Sequence, residues 1–192
     1  MDIKGDLSGI GAAANASDKN AVDRMSALNL PFDPQASPVE LLSISGEPGV
    51  RLRATVEDFG PILFSKILEL NETQESIISI IFKYCEDKKL PLIDLEDIRR
   101  VLQYVTDSAV GKEELNSNYG TIAPASLGAI LRKIVGLEQQ GASKFFGEPS
   151  FDVQDLLKIE DGKGIVNIIR LVDIQNQPNL FSTFMLSLLN KI

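Results

Sequence analysis

The sequence predicts a mostly α-helical fold with a few strands, an α/β arrangement in which a helical lobe sits between two pieces of a sheet. Three observations carry that prediction. A long middle stretch repeats apolar residues at helical spacing. Residues 39–44 and 165–172 are short runs rich in Val, Ile and Leu, as sheet strands are. Prolines and glycines punctuate the chain on either side of these runs.

Residues 1–18, rich in Gly, Ala, Ser and Asn, read as a short segment followed by a loop. Asp18 to Leu28 is a modest helix with Ala21, Val22, Met25 and Leu28 on one side. Pro31, Pro34 and Pro38 end helical structure there. Val39 to Ile44 reads as a strand, Glu47-Pro48-Gly49 as a turn and Arg51 to Val56 as a second strand.

Helices then dominate to about residue 158. Pro61 suits a first helical position, with the helix running to about Leu70. Asn71 followed by Gln74 has the spacing of a capping box. Behind it Ile77, Ile78, Ile81, Phe82 and Cys85 form an apolar face opposite Glu75, Ser79, Lys83 and Glu86. Asp94 caps a third helix striped with Leu95, Ile98, Val101, Leu102 and Val105. Pro124 opens a fourth, with Leu127, Ile130, Leu131, Ile134 and Leu137 inward and Gly141 as its stop.

Asp161-Gly162-Lys163-Gly164 is a turn into Ile165–Val172, which is apolar on both faces as a covered central strand would be. Pro178 opens a last helix whose apolar residues, from Leu180 to Ile192, go nearly all the way round and need cover on several sides. The expected division is 1–56 as a partial core piece, 57–160 as the helical lobe and 161–192 as a core strand and helix. No internal repeat or low-complexity tract interrupts it.

Composition narrows the chemistry. The 192 residues carry a formal net charge of −8, which argues against a surface that binds nucleic acid unaided. With no histidine, His-based triads, general bases and metal ligands are excluded. The single cysteine, Cys85, permits no internal disulfide, makes a structural zinc site untenable and fits a reducing, cytoplasmic setting. It lies on an apolar stripe and reads as core. The first residues lack the apolar core of a signal peptide, and no apolar run reaches the ~20 residues of a membrane span.

No stretch has the G-x-x-x-x-G-K-[ST] spacing of a phosphate loop, and no Asp-Glu pair ends an apolar strand. Gly162 to Gly164 is therefore a turn, with Lys163 a turn residue. Asp2-Ile3-Lys4-Gly5-Asp6-Leu7-Ser8-Gly9 reads either as a strand end and turn or as acidic groups at the carboxyl edge of a parallel sheet, where α/β proteins place ligands. Arg51, Arg53, Arg99, Arg100, Arg132, Lys133 and Lys144 are scattered as on a solvated surface, with one or two free to reach a neighbouring subunit's nucleotide or a DNA backbone. Phe145 and Phe146, ahead of Gly147-Glu148-Pro149, read as a packing anchor or as a contact point for another domain or partner. Glu69, Glu72 and Glu75 are the carboxylates an unrelated hydrolase would use, but a solvated helix face explains them.

Asp2 to Gly9 resembles the strand-end motif that follows the Walker A helix in HerA-like ATPases, the YjgR-type branch of the HerA/FtsK superfamily of P-loop motors. The resemblance continues through Gly60 to Leu63, Leu68 to Glu75, Leu92 to Leu95, Tyr119-Gly120, Ala125 to Ile130, Leu137 to Gly141, Lys144 to Pro149 and Gly162 to Asn167. It implies a RecA-like core holding an inserted helical lobe, and places this stretch between the Walker A loop and the Walker B strand. For the intact parent it implies ATP and magnesium, a homo-oligomeric ring and work on DNA. For this chain it implies no ATP turnover alone, the rest of the parent ATPase as partner, and Asp2 and Asp6 near the magnesium or attacking water. The alternative is a free-standing helical protein-interaction module.

Overall fold

Strand β1 (Val39–Ser43) is the middle of a three-stranded parallel sheet, flanked by β2 (Val50–Arg51) and, late in the sequence, β5 (Val166–Arg170). The computed structural model describes residues 1–174 and 177–191. Beyond β5, Asp2 forms a single parallel bridge with Arg170. β3 (Ile159–Glu160) and β4 (Lys163–Gly164) are a small antiparallel hairpin, whose turn residues Asp161 and Gly162 take φ of 47° and 76° as a two-residue hairpin turn requires.

The second strand is shorter than the sequence suggests. Val50 and Arg51 pair with β1, but Ala54 has already turned away to bridge Phe146, and Thr55 accepts from the Asp58 amide as a helix cap. To run parallel after so short a connection, the chain must fold back tightly along β1. At Gly49 a Cβ would meet the Leu41 carbonyl oxygen at 2.6 Å, so only glycine fits there.

The helices begin where local chemistry sets them. α1 (Lys19–Ala27) is capped by Asp18, and α2 (Val56–Ile67) contains a break at Gly60, with φ 69° and ψ 168°. Pro61 thus restarts the helix, and the turn before it is an addition to the expected element. At α3 (Glu72–Lys88) Asn71 and Gln74 exchange the two bonds of a capping box, at 3.0 and 3.3 Å. Asp94 and Asp97 do the same at α4 (Leu95–Asp107).

α5 (Ala109–Tyr119) has no counterpart among the expected helices, because its sequence alternates no clear apolar stripe. It forms because Ser108 ends α4 and caps α5, and because Gly111 packs against α4 where a Cβ would sit 2.6 Å from the Tyr104 carbonyl oxygen. α6 (Pro124–Gln139) buries Leu127, Ile130, Ile134 and Leu137, and stops at Gly141 with φ 90°. α7 (Pro178–Lys191) buries Leu180, Phe184 and Leu188 but leaves Leu186 and Leu189 exposed. Ile192, expected to continue that face, lies outside the described residues.

One apolar cluster runs from Leu42 and Ile44 in the sheet region, through α2, α3, α4 and α6, to Phe184 and Leu188 of α7. Its centre is aromatic. The Phe145 ring meets Phe59 and Phe184 edge-on at 5.5 Å each, and Phe146 meets Phe59 at 5.1 Å and Phe64 at 6.0 Å. Backbone bonds fix the loop carrying these rings: Ala54 N–H to Phe145 O at 3.2 Å, Gly147 N–H to Ala54 O at 3.1 Å and Phe151 N–H to Arg53 O at 2.9 Å.

Phe145 is fully buried in this cluster, so truncation leaves a cavity as well as lost transfer energy. Phe145→Ala is expected to cost about 3–5 kcal/mol in urea denaturation. Ile62→Ala, at a residue 71% exposed, should stay within about 0.5 kcal/mol.

Candidate functional site at the carboxyl edge of the sheet

The parallel strands all end at one edge, and there the polar residues gather. In register across the sheet lie Arg51, Ser43, Arg170 and Asp2. In-register residues of a sheet share a face. Asp2 is 1% exposed and Ser43 fully buried, so these are polar groups inside the protein that must find partners.

They do so internally. Asp2 Oδ1 accepts from the Gly5 amide at 2.7 Å and the Asp6 amide at 3.1 Å, while Oδ2 accepts from the Leu7 amide at 3.3 Å. The carboxylate therefore ties the strand end to the 3-10 turn Leu7–Gly11. Asp6, which precedes that turn, is exposed and its side chain does not cap it. The two aspartates are thus neighbours in the fold but differ in setting: one carboxylate is engaged by backbone, the other faces solvent.

Next to them, Ser43 Oγ lies 3.4 Å from Ser45 Oγ and accepts from the Ser45 amide at 3.2 Å. Arg170 reaches across the edge to Glu47 at 2.8 Å and to the Pro48 carbonyl at 3.3 Å, pinning the Glu47-Pro48-Gly49 turn. Ser43, Ser45, Glu47 and Arg170 were not singled out by sequence reasoning. The available signal was two serines at strand spacing, in a run otherwise apolar, just before a turn. Among the described residues no group of three or more acidic or cysteine side chains is placed to hold a metal ion.

A second cluster of charge lies at the far end of α7. Lys191 Nζ is 3.5 Å from Asp58 and 4.8 Å from the centre of the Phe151 ring, and the Ser150 hydroxyl also donates to Asp58. Partial burial pushes the Asp58 carboxyl upward. The Ser150 hydroxyl, the Lys191 ammonium and Thr55 outweigh it and hold Asp58 below its ordinary value. Arg53 donates to the Glu148 carbonyl at 2.9 Å, so this residue braces the aromatic loop. On the lobe, Tyr84 and Lys88 share Glu114 at 2.9 and 2.8 Å, and Tyr119 and Lys83 share Asp87 at 2.6 and 2.9 Å, linking α3 to α5.

Cys85 is buried in the core, and burial followed by the charges of Glu57 and Asp97 pushes its thiol up to about 12. It is therefore not a thiolate near neutrality. A cleft of about 390 Å³ lies between α6 and the start of α7, where Lys133 donates to the Glu69 carbonyl and Gln177 to the Gln140 carbonyl at 2.8 Å. Those bonds close helix ends rather than converge on a shared point. Glu72 and Glu75 are exposed on α3. No single helix among the described residues is long and apolar enough to cross a membrane.

Asp2→Asn is expected to lose about 1–3 kcal/mol in equilibrium denaturation, because an amide presents one acceptor oxygen to three amide donors. Asp6→Asn should change stability by less than about 0.5 kcal/mol, and an equal cost at the two positions would refute the asymmetry. A second test concerns pH. Asp58 sits lower in the folded than in the unfolded state, so it adds stability above the usual aspartate value of about 3.9, lost as pH falls below it. The urea midpoint of Asp58→Asn should trail the unaltered protein at pH 7 and approach it at pH 3.

The family model for the C-terminal region of HerA-like helicases matches residues 1–192. No curated protein matches the chain.

Proposed function

The chain belongs to the family of HerA-like helicase C-terminal regions, and from that premise we propose that it is the part of a HerA-like DNA motor lying between the Walker A loop and the Walker B strand. It carries one flank of a RecA-like sheet together with the helical lobe, and takes its nucleotide cradle from elsewhere in the parent ATPase. One observation carries this reading. The carboxyl edge of the sheet has no phosphate-loop sequence beside it, and its own polar groups are occupied with one another. A loop whose amides and lysine grip phosphates is what such an edge needs to bind a triphosphate.

In the intact motor, ATP and magnesium are bound by the Walker motifs, copies of the protein assemble in a ring on DNA, and the setting is cytoplasmic. Leu186 and Leu189, 49% and 65% exposed on α7, are apolar surface suited to such neighbours. Asp6 is the better placed of the two aspartates to reach the magnesium or attacking water, since its carboxylate is exposed. Asp2 acts through the turn it holds. A free-standing helical interaction module has less support, because the aromatic centre of the lobe draws Phe184 from α7 and is fixed by the backbone of Arg53 and Ala54.

The test is calorimetric. Titration of ATP with magnesium into the chain should give no saturable heat at micromolar concentrations and no phosphate release. Saturable micromolar binding would overturn the reading.

A further inference from the structure

α5 and α6 both pack against α4, and between the three helices the lobe keeps a cavity of about 180 Å³. Its origin is local. At its start α5 lies close on α4, because Gly111 has no Cβ to meet the Tyr104 carbonyl. Farther along, α5 is tied to α3 instead, by Glu114 to Tyr84 and by Tyr119 to Asp87. The chain then turns at Gly120, with φ 91°, and α6 leaves the corner bent by 107° from α5. Two helices that diverge so widely cannot fill the space between them with their own side chains.

The floor of the cavity is apolar. Val105, Leu115 and Leu127 are buried there, with Ile122 partly buried beside them. The rim is polar and open to water, with Lys112, Asn116 and Thr121 exposed. None of these three side chains makes a hydrogen bond or ion pair among the described residues. Thr106 lines the wall too, but its hydroxyl is donated to the Leu102 carbonyl at 2.6 Å. Lys112 is thus the one charged residue of this wall, in a chain whose net charge is −8. The cleft between α6 and α7 includes Glu69 in its lining, and the groove between the starts of α3 and α6 includes Glu72.

We propose that this cavity binds a small monocarboxylate whose apolar body is the size of one aromatic ring. An apolar cavity of about 150 Å³ admits benzene, so the space fits such a body. The guest regains the dispersion contacts that a void denies its walls. Its carboxylate stays at the rim, where the Lys112 ammonium supplies the opposite charge and the Asn116 amide and Thr121 hydroxyl supply donors. One lysine with no second cation on the wall matches one negative charge, which favours a carboxylate over a phosphate dianion. The guest touches α4, α5 and α6 at once. It therefore steadies α5, which buries only Gly111 and Leu115 of its own.

The site lies in the helical lobe and does not depend on the nucleotide reading. Methyl NMR titrations of the 192-residue chain with benzoate, benzamide and benzylammonium test it. Benzoate should shift the Val105, Leu115 and Leu127 methyls saturably, with a Kd below about 1 mM. Benzamide, the same shape without charge, should bind about tenfold more weakly, and benzylammonium more weakly still. Lys112→Met, which keeps the stem and removes the charge, should bring benzoate to the benzamide level and leave benzamide unmoved. Arg132→Met, outside the cavity, should change neither. Ile122→Phe, which fills part of the space, should weaken benzoate and benzamide alike by about tenfold. Bound benzoate should also slow amide exchange in α5 severalfold. Equal affinity for benzoate and benzamide, benzoate binding unchanged by Lys112→Met, or shifts that do not saturate or fall on other methyls would each overturn the proposal.

Discussion

The burial of Phe145 and Phe146 is the constraint on which the rest of the structure depends. Their loop lies between α6 and β3 in sequence, yet its backbone is bonded to residues 53 and 54, immediately after the sheet's edge strand. Their rings then meet Phe59 and Phe64 of α2 and Phe184 of α7. Edge-on aromatic pairs contribute beyond their area, and here they join residues as far apart in sequence as Phe59 and Phe146. This joint brings the sheet flank, the lobe and α7 together. With it, one core runs from Leu42 to Leu188.

The sheet hangs from that core and keeps its carboxyl edge polar. Because β1, β2 and β5 are parallel, every strand end faces the same way, and Ser43, Arg170 and Asp2 meet in one row. Burial requires these groups to be satisfied, and short local turns satisfy them: Asp2 holds the amides of Gly5 to Leu7, and Arg170 holds the Glu47-Pro48-Gly49 turn. The edge is thus rigid and largely self-contained.

The lobe is built differently. Its helices α3 and α4 start at capping boxes and pack through Ile, Leu and Val stripes, while tyrosine–carboxylate–lysine bonds link α3 to α5. Burial, and then the bond to Glu114, pushes Tyr84 up; the Lys88 and Tyr84 bonds hold Glu114 down. The lysine bonds among them lie at the surface and orient α5 more than they stabilise it, while Tyr84 itself is buried. The opposing character of the two regions, a polar self-satisfied edge and an apolar lobe, follows from where each meets water.

By itself the sequence determined what depends on neighbours a few residues away. Asn71 with Gln74, and Asp94 at the head of its stripe, mark helix starts because a cap bonds to amides two and three residues on. The strand expected at 39–44, formed as β1 over Val39–Ser43, and the burial of Cys85 were equally legible, each a matter of local pattern. Only the tertiary structure decided what distant residues impose. β2 ends at Arg51 because Ala54 is drawn to Phe146, α5 forms because Gly111 lies against Tyr104, and Asp2 is a buried brace because Arg170 lies beside it. Such outcomes are set by hydrogen bonds and packing that form only once the chain has closed on itself, and no local pattern encodes them.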